Sequence, residues 1–296
     1  MTAWIPAWKL ACLIHRQTDC WGIWPDRGFL ANPDPIENLG SVDSIDRYFS
    51  ATEGAMLEEI AERLPSLVEN REFIRVVKEL PLIRFNGLSH EKKNDPILER
   101  IVLIYSYFAN AYVFEDPEFV RDRLPVQIAH PLYQLAQSVE RQPILSYPSY
   151  VLYNWRRLNI NGPINMENLA LLQEMHGGAD EAWFVLIHVE IEAIASSVLG
   201  AIKRAVTAMG ASDSAELSIA LVEMGEGIQK MSVTLRRMEE GCDPSRYYHE
   251  IPPYINGFDN ITFEGVPDYG MQPKSFRGQA AAQSSIVWLF LALNTR

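Results

Sequence analysis

Cysteine is scarce here: Cys12, Cys20 and Cys242 are the three in 296 residues, and no two of them form a CxxC pair. That excludes a paired-thiolate zinc module and a disulfide-stapled scaffold, and it suits a reducing compartment. Basic residues are outnumbered, 26 Lys and Arg against 38 Asp and Glu, for a net charge of −12. A field of that sign repels phosphate backbones and anionic bilayer surfaces, so neither nucleic acid nor membrane is an expected partner. No uninterrupted apolar run reaches 18 residues, so no segment reads as built to span a bilayer. Pro6 and Lys9 interrupt the apolar N-terminus MTAWIPAWKLACLIHRQ, which makes a poor signal peptide. The expectation is a soluble, cytoplasmic protein.

Catalytic signatures are missing as well. There is no HExxH, no Walker loop, no GxGxxG and no G-x-S-x-G. His188-Val189-Glu190 matches the H-x-E half of the zinc deaminase signature, but no PCxxC follows it. The six histidines, His15, His90, His130, His176, His188 and His249, include no pair at i, i+4. A metal cage or nucleophile triad is therefore not expected, and a cofactor needing only one or two protein ligands fits better. Haem is such a cofactor, since an axial histidine and an apolar pocket suffice.

What the chain does have is helical patterning. Apolar residues make up 48% of it and charged residues 22%, values of a globular protein with a substantial core. Residues 22–40 carry three prolines and three glycines and read as an ordered turn region. Leu57, Ile60, Leu64 and Leu67 fall on one side of a helix beginning near Met56. Further helices are expected over Asn70–Glu79, Ile97–Val113, Asp116–Leu124 and Asn165–Met175. HGGAD (176–180) is the strongest break, and Asp180 is placed to cap a long helix running to about Met209. A second long helix is expected over Ser212–Glu239, interrupted by Gly225 and Gly227, then a loop over 241–274 and a helix over Gln279–Leu293. No internal repeat and no sustained strand alternation is seen. The fold class is mainly α, with a domain boundary near 176.

One stretch of the long helix stands out. In AWFVLIHVEIEAI (182–194), Phe184, His188, Ile191 and Ala195 form one stripe of one face. A histidine there is either a core residue bonded to a neighbour or a helix turn, or the lining of an apolar cavity holding a cofactor or substrate.

Five blocks in the same order make the chain resemble the indoleamine 2,3-dioxygenase family: RGFLANPDPIENL (27–39), LPVQIAHPLYQLAQSVERQPILSYPSYVLYNWRR (124–157), GPINMENL (162–169), AWFVLIHVEIEA (182–193) and FRGQAAAQSSI (276–286). The resemblance covers nearly the whole chain. It implies a smaller, mostly helical N-terminal domain, residues 1–176, covering the distal side of the pocket of a larger all-α haem domain, residues 177–296. It implies haem b as cofactor, dioxygen as co-substrate, and addition of oxygen across the indole C2–C3 bond of tryptophan or a related indole, giving an N-formylkynurenine-type product. It places His188 at the distal, catalytic position, where relatives carry a small or polar residue and tryptophan dioxygenases carry histidine. It places Phe184 against the substrate ring, Tyr147 and Tyr150 in the pocket lining, and Ala281 close to haem and substrate. The small-residue run Gly278, Ala280, Ala281 and Ala282 is implied to let the backbone approach the porphyrin.

Two departures qualify the resemblance. The family's proximal histidine, the iron ligand, lies beyond the segment matching residue 293 and is expected C-terminal to Arg296, which makes the helical domain incomplete here. A charged terminus three residues after IVWLFLAL (286–293), apolar on every side, is costly to bury and gives the same expectation. In YYHEIPPYINGF (247–258), Pro252 stands where relatives carry the arginine that grips the substrate carboxylate. Arg277 is either a substitute for it or a solvated surface residue. A haem-dependent indole monooxygenase and a non-catalytic family member are the alternatives. The sequence specifies no oligomeric state.

Pro252 generates a prediction. Tryptophan is expected to bind no better than indole, and Pro252→Arg to raise tryptophan affinity relative to indole about ten- to a hundredfold, the worth of a charge-assisted bond. Titrating both ligands against both proteins checks this; an unchanged ratio removes Pro252 from substrate choice.

Overall fold

In the computed structural model, which describes residues 24–42, 44–89, 95–116, 118–250 and 252–278, the first long helix is α1 (Ala51–Glu69). Its start is set by a capping box: the Ser50 hydroxyl accepts from the Glu53 amide at 3.3 Å, and the Ser50 amide donates to the Glu53 carboxylate at 2.9 Å. Leu57, Ile60, Leu64 and Leu67 are buried, the stripe expected from their spacing. Pro65 lies inside this helix and has no N–H to offer the Ala61 carbonyl. The Gln173 side-chain amide takes its place, donating to that carbonyl at 2.8 Å.

Helix α2 (Phe73–Glu79) begins later than its sequence pattern suggests, because Arg71 adopts a left-handed conformation (φ 56°) that ends the preceding turn. Its N-terminal amides are capped from a distance: the Glu115 carboxylate accepts from Phe73 at 2.7 Å and Ile74 at 3.3 Å. Glu115 immediately follows α3 (Pro96–Phe114), which Asp95 caps through the Ile97 amide at 2.9 Å and which is buried along nearly its whole length. By length and composition, α3 and the later helix Ala179–Ala211 are long and apolar enough to cross a bilayer. In α3, however, 94% of that apolar window is buried inside the fold, so its composition is accounted for by core packing.

Two expected helices do not form. Residues 118–122 are irregular, and Arg123–Leu124 is instead a short strand, β1, pairing parallel with Thr262 and Phe263. Within Asn165–Met175 there is only a 3-10 turn (Met166–Asn168) followed by strand β3 (Leu169–Ala170), antiparallel to β2 (Arg156–Arg157). The Asn168 side chain explains the second failure. It accepts from the Asn159 amide at 2.8 Å and donates to the carbonyls of Asn159 and Pro163 at 3.0 and 2.8 Å, closing a loop that competes with helix. Helix α4 (Val126–Ser138) lies between these segments.

Past the break at 176–178 come α5 (Ala179–Ala211) and α6 (Ser214–Arg236), joined by a tight turn in which Ser212 is left-handed (φ 54°). Gly178, not Asp180, precedes α5; Asp180 lies in the first turn and accepts from the Asp243 amide at 2.6 Å. Asp213 caps α6 through the amides of Ala215 and Glu216. Of the two glycines in α6, Gly227 is the one required: a Cβ there would meet Val198 Cγ2 at 2.3 Å, so its absence lets the helices close. After the short helices α7 (Met238–Gly241) and α8 (Pro244–Glu250), the expected loop contains strands β4 (Phe258–Phe263) and β5 (Lys274–Phe276). They pair antiparallel and complete a sheet of order β1-β4-β5. The helix expected over Gln279–Leu293 falls outside the described residues.

The Pro65 arrangement predicts a cost. Gln173→Ala is expected to lower stability by about 1–3 kcal/mol, because it leaves a buried carbonyl unmet. Pro65→Ala in the same background restores part of the loss by returning the helical N–H. Urea unfolding of the two variants checks it; a neutral Gln173→Ala means that water fills the gap.

Candidate functional site

Helix α5 carries the stripe singled out in the sequence, and it brings Phe184 and His188 into contact, with ring centroids 4.5 Å apart and ring planes at 47°. His188 Nδ1 lies 2.7 Å from the Phe184 carbonyl oxygen. A carbonyl only accepts, so Nδ1 carries the proton and Nε2 presents a lone pair. Burial pushes the imidazole pKa below its ordinary value, outweighing the opposite pull of that bond, so the ring is neutral at pH 7. Behind the pair, Val185, Ile187, Val189, Ile191 and Ala195 are buried, while Phe184 and His188 are half-buried. His188 thus meets the first of its two sequence readings, a bond to its own helix turn, with Nε2 left as the acceptor.

One turn on, Glu192 is fully buried and accepts the Tyr147 hydroxyl at 2.8 Å. Burial and the facing carboxylate push the Tyr147 pKa far up, so the phenol stays a donor. This bond fixes Tyr147 beside the turn that follows His188. The Phe184 carbonyl, rather than Glu192, holds the His188 Nδ1 proton and so sets the tautomer. Tyr150 is fully buried in the π-helical turn Pro148–Leu152 and stacks on Tyr107 of α3, with centroids 6.2 Å apart. Gly278 lies where a Cβ would meet the backbone of Ile255, Asn256 and Gly257 within 2.7 Å, so two chain segments cross there with no side chain between them. Arg277 is exposed. Ala280, Ala281 and Ala282 lie outside the described residues. Among the described residues, no three His, Cys, Asp or Glu side chains converge as a metal centre.

Sequence reasoning overlooked the carboxylates that hold this wall. Glu190 accepts from the Met166 amide at 2.7 Å and the Thr234 hydroxyl at 2.8 Å, tying α5 to the loop before β3 and to α6. Glu181, fully buried in the first turn of α5, accepts from the amides of Met175 at 2.9 Å and His176 at 3.1 Å. Burial raises its pKa to about 7, although those backbone N–H groups pull it down. The signal was present as acidic residues inside an apolar helical run, since such residues need buried partners. Their partners lie in segments the run itself does not reveal.

A mostly helical fold presenting an aromatic ring and a neutral imidazole on one buried-backed face is suited to hold an apolar ring beside a hydrogen-bond acceptor. Residues 17–293 match the indoleamine 2,3-dioxygenase family, and the chain belongs to that family. It is 32% identical over 236 residues to indoleamine 2,3-dioxygenase 1 of Mus musculus, covering 77% of this chain and 56% of the relative. It is 29% identical over 283 residues to indoleamine 2,3-dioxygenase of Saccharomyces cerevisiae, covering 90% and 58%. It is also 26% identical over 273 residues to a myoglobin of Haliotis diversicolor, covering 89% and 65%. The chain therefore spans just over half the length of the first two relatives.

Glu181 makes stability depend on pH. Its folded pKa of about 7 lies above the ordinary value of 4.5, so the folded state holds the proton more tightly than the unfolded chain. That contribution is complete below pH 4.5 and is lost as pH rises to about 7, by about 3 kcal/mol in all. Urea unfolding at pH 5 and pH 8 is expected to show a smaller fall for Glu181→Gln than for the unmodified protein. Equal falls assign the slope to other acids.

Proposed function

We propose that this chain carries the distal half of the site of a haem-dependent dioxygenase, one that adds both atoms of dioxygen across the C2–C3 bond of an indole. The observation that carries the reading is the Phe184–His188 pair, with Nδ1 occupied and Nε2 presenting its lone pair. The described residues fit the distal side of a haem: a neutral imidazole, an aromatic ring and an apolar helix wall. Haem iron, when bound, supplies the dioxygen binding and electron transfer that no side chain here provides.

The chain's own residues position and shield the substrate. Phe184 offers a face against which an indole ring packs. His188 Nε2 accepts a proton-bearing group, of which the indole N–H is the one a tryptophan-like substrate brings. Glu192 holds the Tyr147 hydroxyl, so the phenol ring stays in place as part of the wall. The buried aliphatic residues behind Phe184 and His188 keep water from that side of the reacting ring. Pro252 supplies no charge for a carboxylate and Arg277 is exposed, so the reading favours indole or a neutral indole derivative over tryptophan.

The match to a protein named myoglobin favours a second reading, a haem protein that holds dioxygen without turnover. Reaction with isotopically labelled dioxygen separates the outcomes: two labelled atoms in the product for a dioxygenase, one for a monooxygenase, and none for a carrier. His188→Ala is expected to change stability by less than about 1 kcal/mol, since the half-buried ring supports little packing. It is expected to slow turnover about 10²- to 10⁴-fold if the imidazole holds a proton in the reaction. A large stability loss with unchanged turnover makes His188 a packing residue and sinks its assigned role.

A further inference from the structure

A concavity lies where the end of α3 meets β4, and none of its residues belongs to the Phe184–His188 wall. It is a groove of about 370 Å³ whose lining includes Phe114, Val120, Arg121, Asn256, Phe258 and Asp259. Phe114 and Phe258 form its aromatic floor, with ring centroids 6.1 Å apart and planes at 33°. Val120 lines it while 56% exposed, an apolar side chain left to solvent at the rim. The groove is thus apolar in the middle, with one charge of each sign among its walls.

Among the described residues neither charge forms an ion pair, although Arg121 lies near enough to Glu115 to help lower its pKa. Arg121 makes one long bond from Nη1 to the Tyr112 carbonyl at 3.4 Å, and its guanidinium lies 5.5 Å from the Tyr112 ring centroid. No carboxylate lies within ion-pair distance of it among the described residues. Glu115, the nearby acid, spends its carboxylate on the amides that start α2. The Arg121 backbone N–H donates a hydrogen bond to the Val113 carbonyl at 3.1 Å, so the side chain starts from a fixed base. Asp259 takes the Ser275 hydroxyl at 2.9 Å on one oxygen and leaves the other to the outside. Arginine has five donors in a fork that matches a carboxylate, and an exposed carboxylate is the natural partner of an ammonium.

We propose that this groove is a binding site for a free aromatic amino acid, taking its carboxylate at Arg121, its ammonium at Asp259 and its ring on Phe114 and Phe258. The volume suits one small molecule, and the chain's net charge of −12 disfavours polyanions such as nucleotides in its place. The groove is also wired to the other site. Asn110, fully buried in α3, donates to the carbonyls of Tyr254 at 2.9 Å and Asn256 at 3.3 Å, and accepts from the Leu145 amide at 3.3 Å. Leu145 is two residues before Tyr147. A ligand that shifts Asn256 therefore pulls on the segment holding the wall of the candidate active site.

Calorimetric titration of the whole protein with L-phenylalanine, 3-phenylpropionate and phenethylamine tests this without relying on turnover or haem. L-phenylalanine is expected to bind more tightly than either analogue, each of which lacks one charge. Arg121→Gln is expected to weaken L-phenylalanine and 3-phenylpropionate about tenfold or more while sparing phenethylamine. Asp259→Asn, at an exposed position that keeps the Ser275 contact, is expected to weaken L-phenylalanine and phenethylamine while sparing 3-phenylpropionate. Absence of binding, equal binding of the three ligands, or L-phenylalanine affinity unchanged by both substitutions overturns the proposal. So does L-phenylalanine binding abolished by Phe184→Ala alone, which assigns the ligand to the other site.

Discussion

A helix with no wet face must draw partners for most of its polar side chains from its neighbours, and α3 is such a helix, with the Tyr105 and Ser106 hydroxyls left unpartnered among the described residues. Arg100 forks onto Glu58 of α1 with contacts of 3.0 and 2.6 Å, and the same carboxylate accepts from the Leu39 amide at 2.9 Å. Glu99 receives Arg141, just past α4. The Tyr107 hydroxyl meets Asn154, whose amide group also closes onto the backbone of Gln173. Asn110 joins the 254–256 segment to Leu145. Each bond answers a desolvation penalty, and each fixes a different segment against α3. Removing one partner leaves a buried polar or charged group alone, a larger loss than the bond itself is worth.

The same logic, with acids, organises α5. Glu181, Glu190 and Glu192 each accept from groups outside the helix: the loop before it, the 166 segment with α6, and the Tyr147 hydroxyl. Phe184 and His188 sit between the first of these anchors and the other two. The helix face that presents them is held at both ends, and the His188 tautomer is set within the helix itself. Such a wall can be pre-organised before any ligand arrives.

The long helices were legible because their apolar period is sustained, but the cap at Ser50 with Glu53 went unread, so α1 starts at Ala51 rather than near Met56. The site stripe of α5 was legible for the same reason, since Phe184 and His188 are neighbours on one helix. What escaped was non-local or side-chain driven. Strand β1 exists because Leu124 pairs with Phe263, a partner nothing near residue 124 announces. The 165–175 segment fails as a helix because the Asn168 amide closes a loop with residues 159 and 163. Glu192 is tied to Tyr147 45 residues away, so a helical pattern shows that the acid is buried but not what receives it.

The Gln173 amide that completes α1 also sets a timetable for synthesis. Ala61 and Gln173 are 112 residues apart. At about 5–20 residues per second, the ribosome takes roughly 6–22 s to supply the second after the first. For that interval α1 has a carbonyl that its own Pro65 leaves unmet, so burying it dry carries the penalty of an unpaired acceptor. The last bond of α1 is thus completed by a residue made shortly before α5, which links the two segments in time as well as in space.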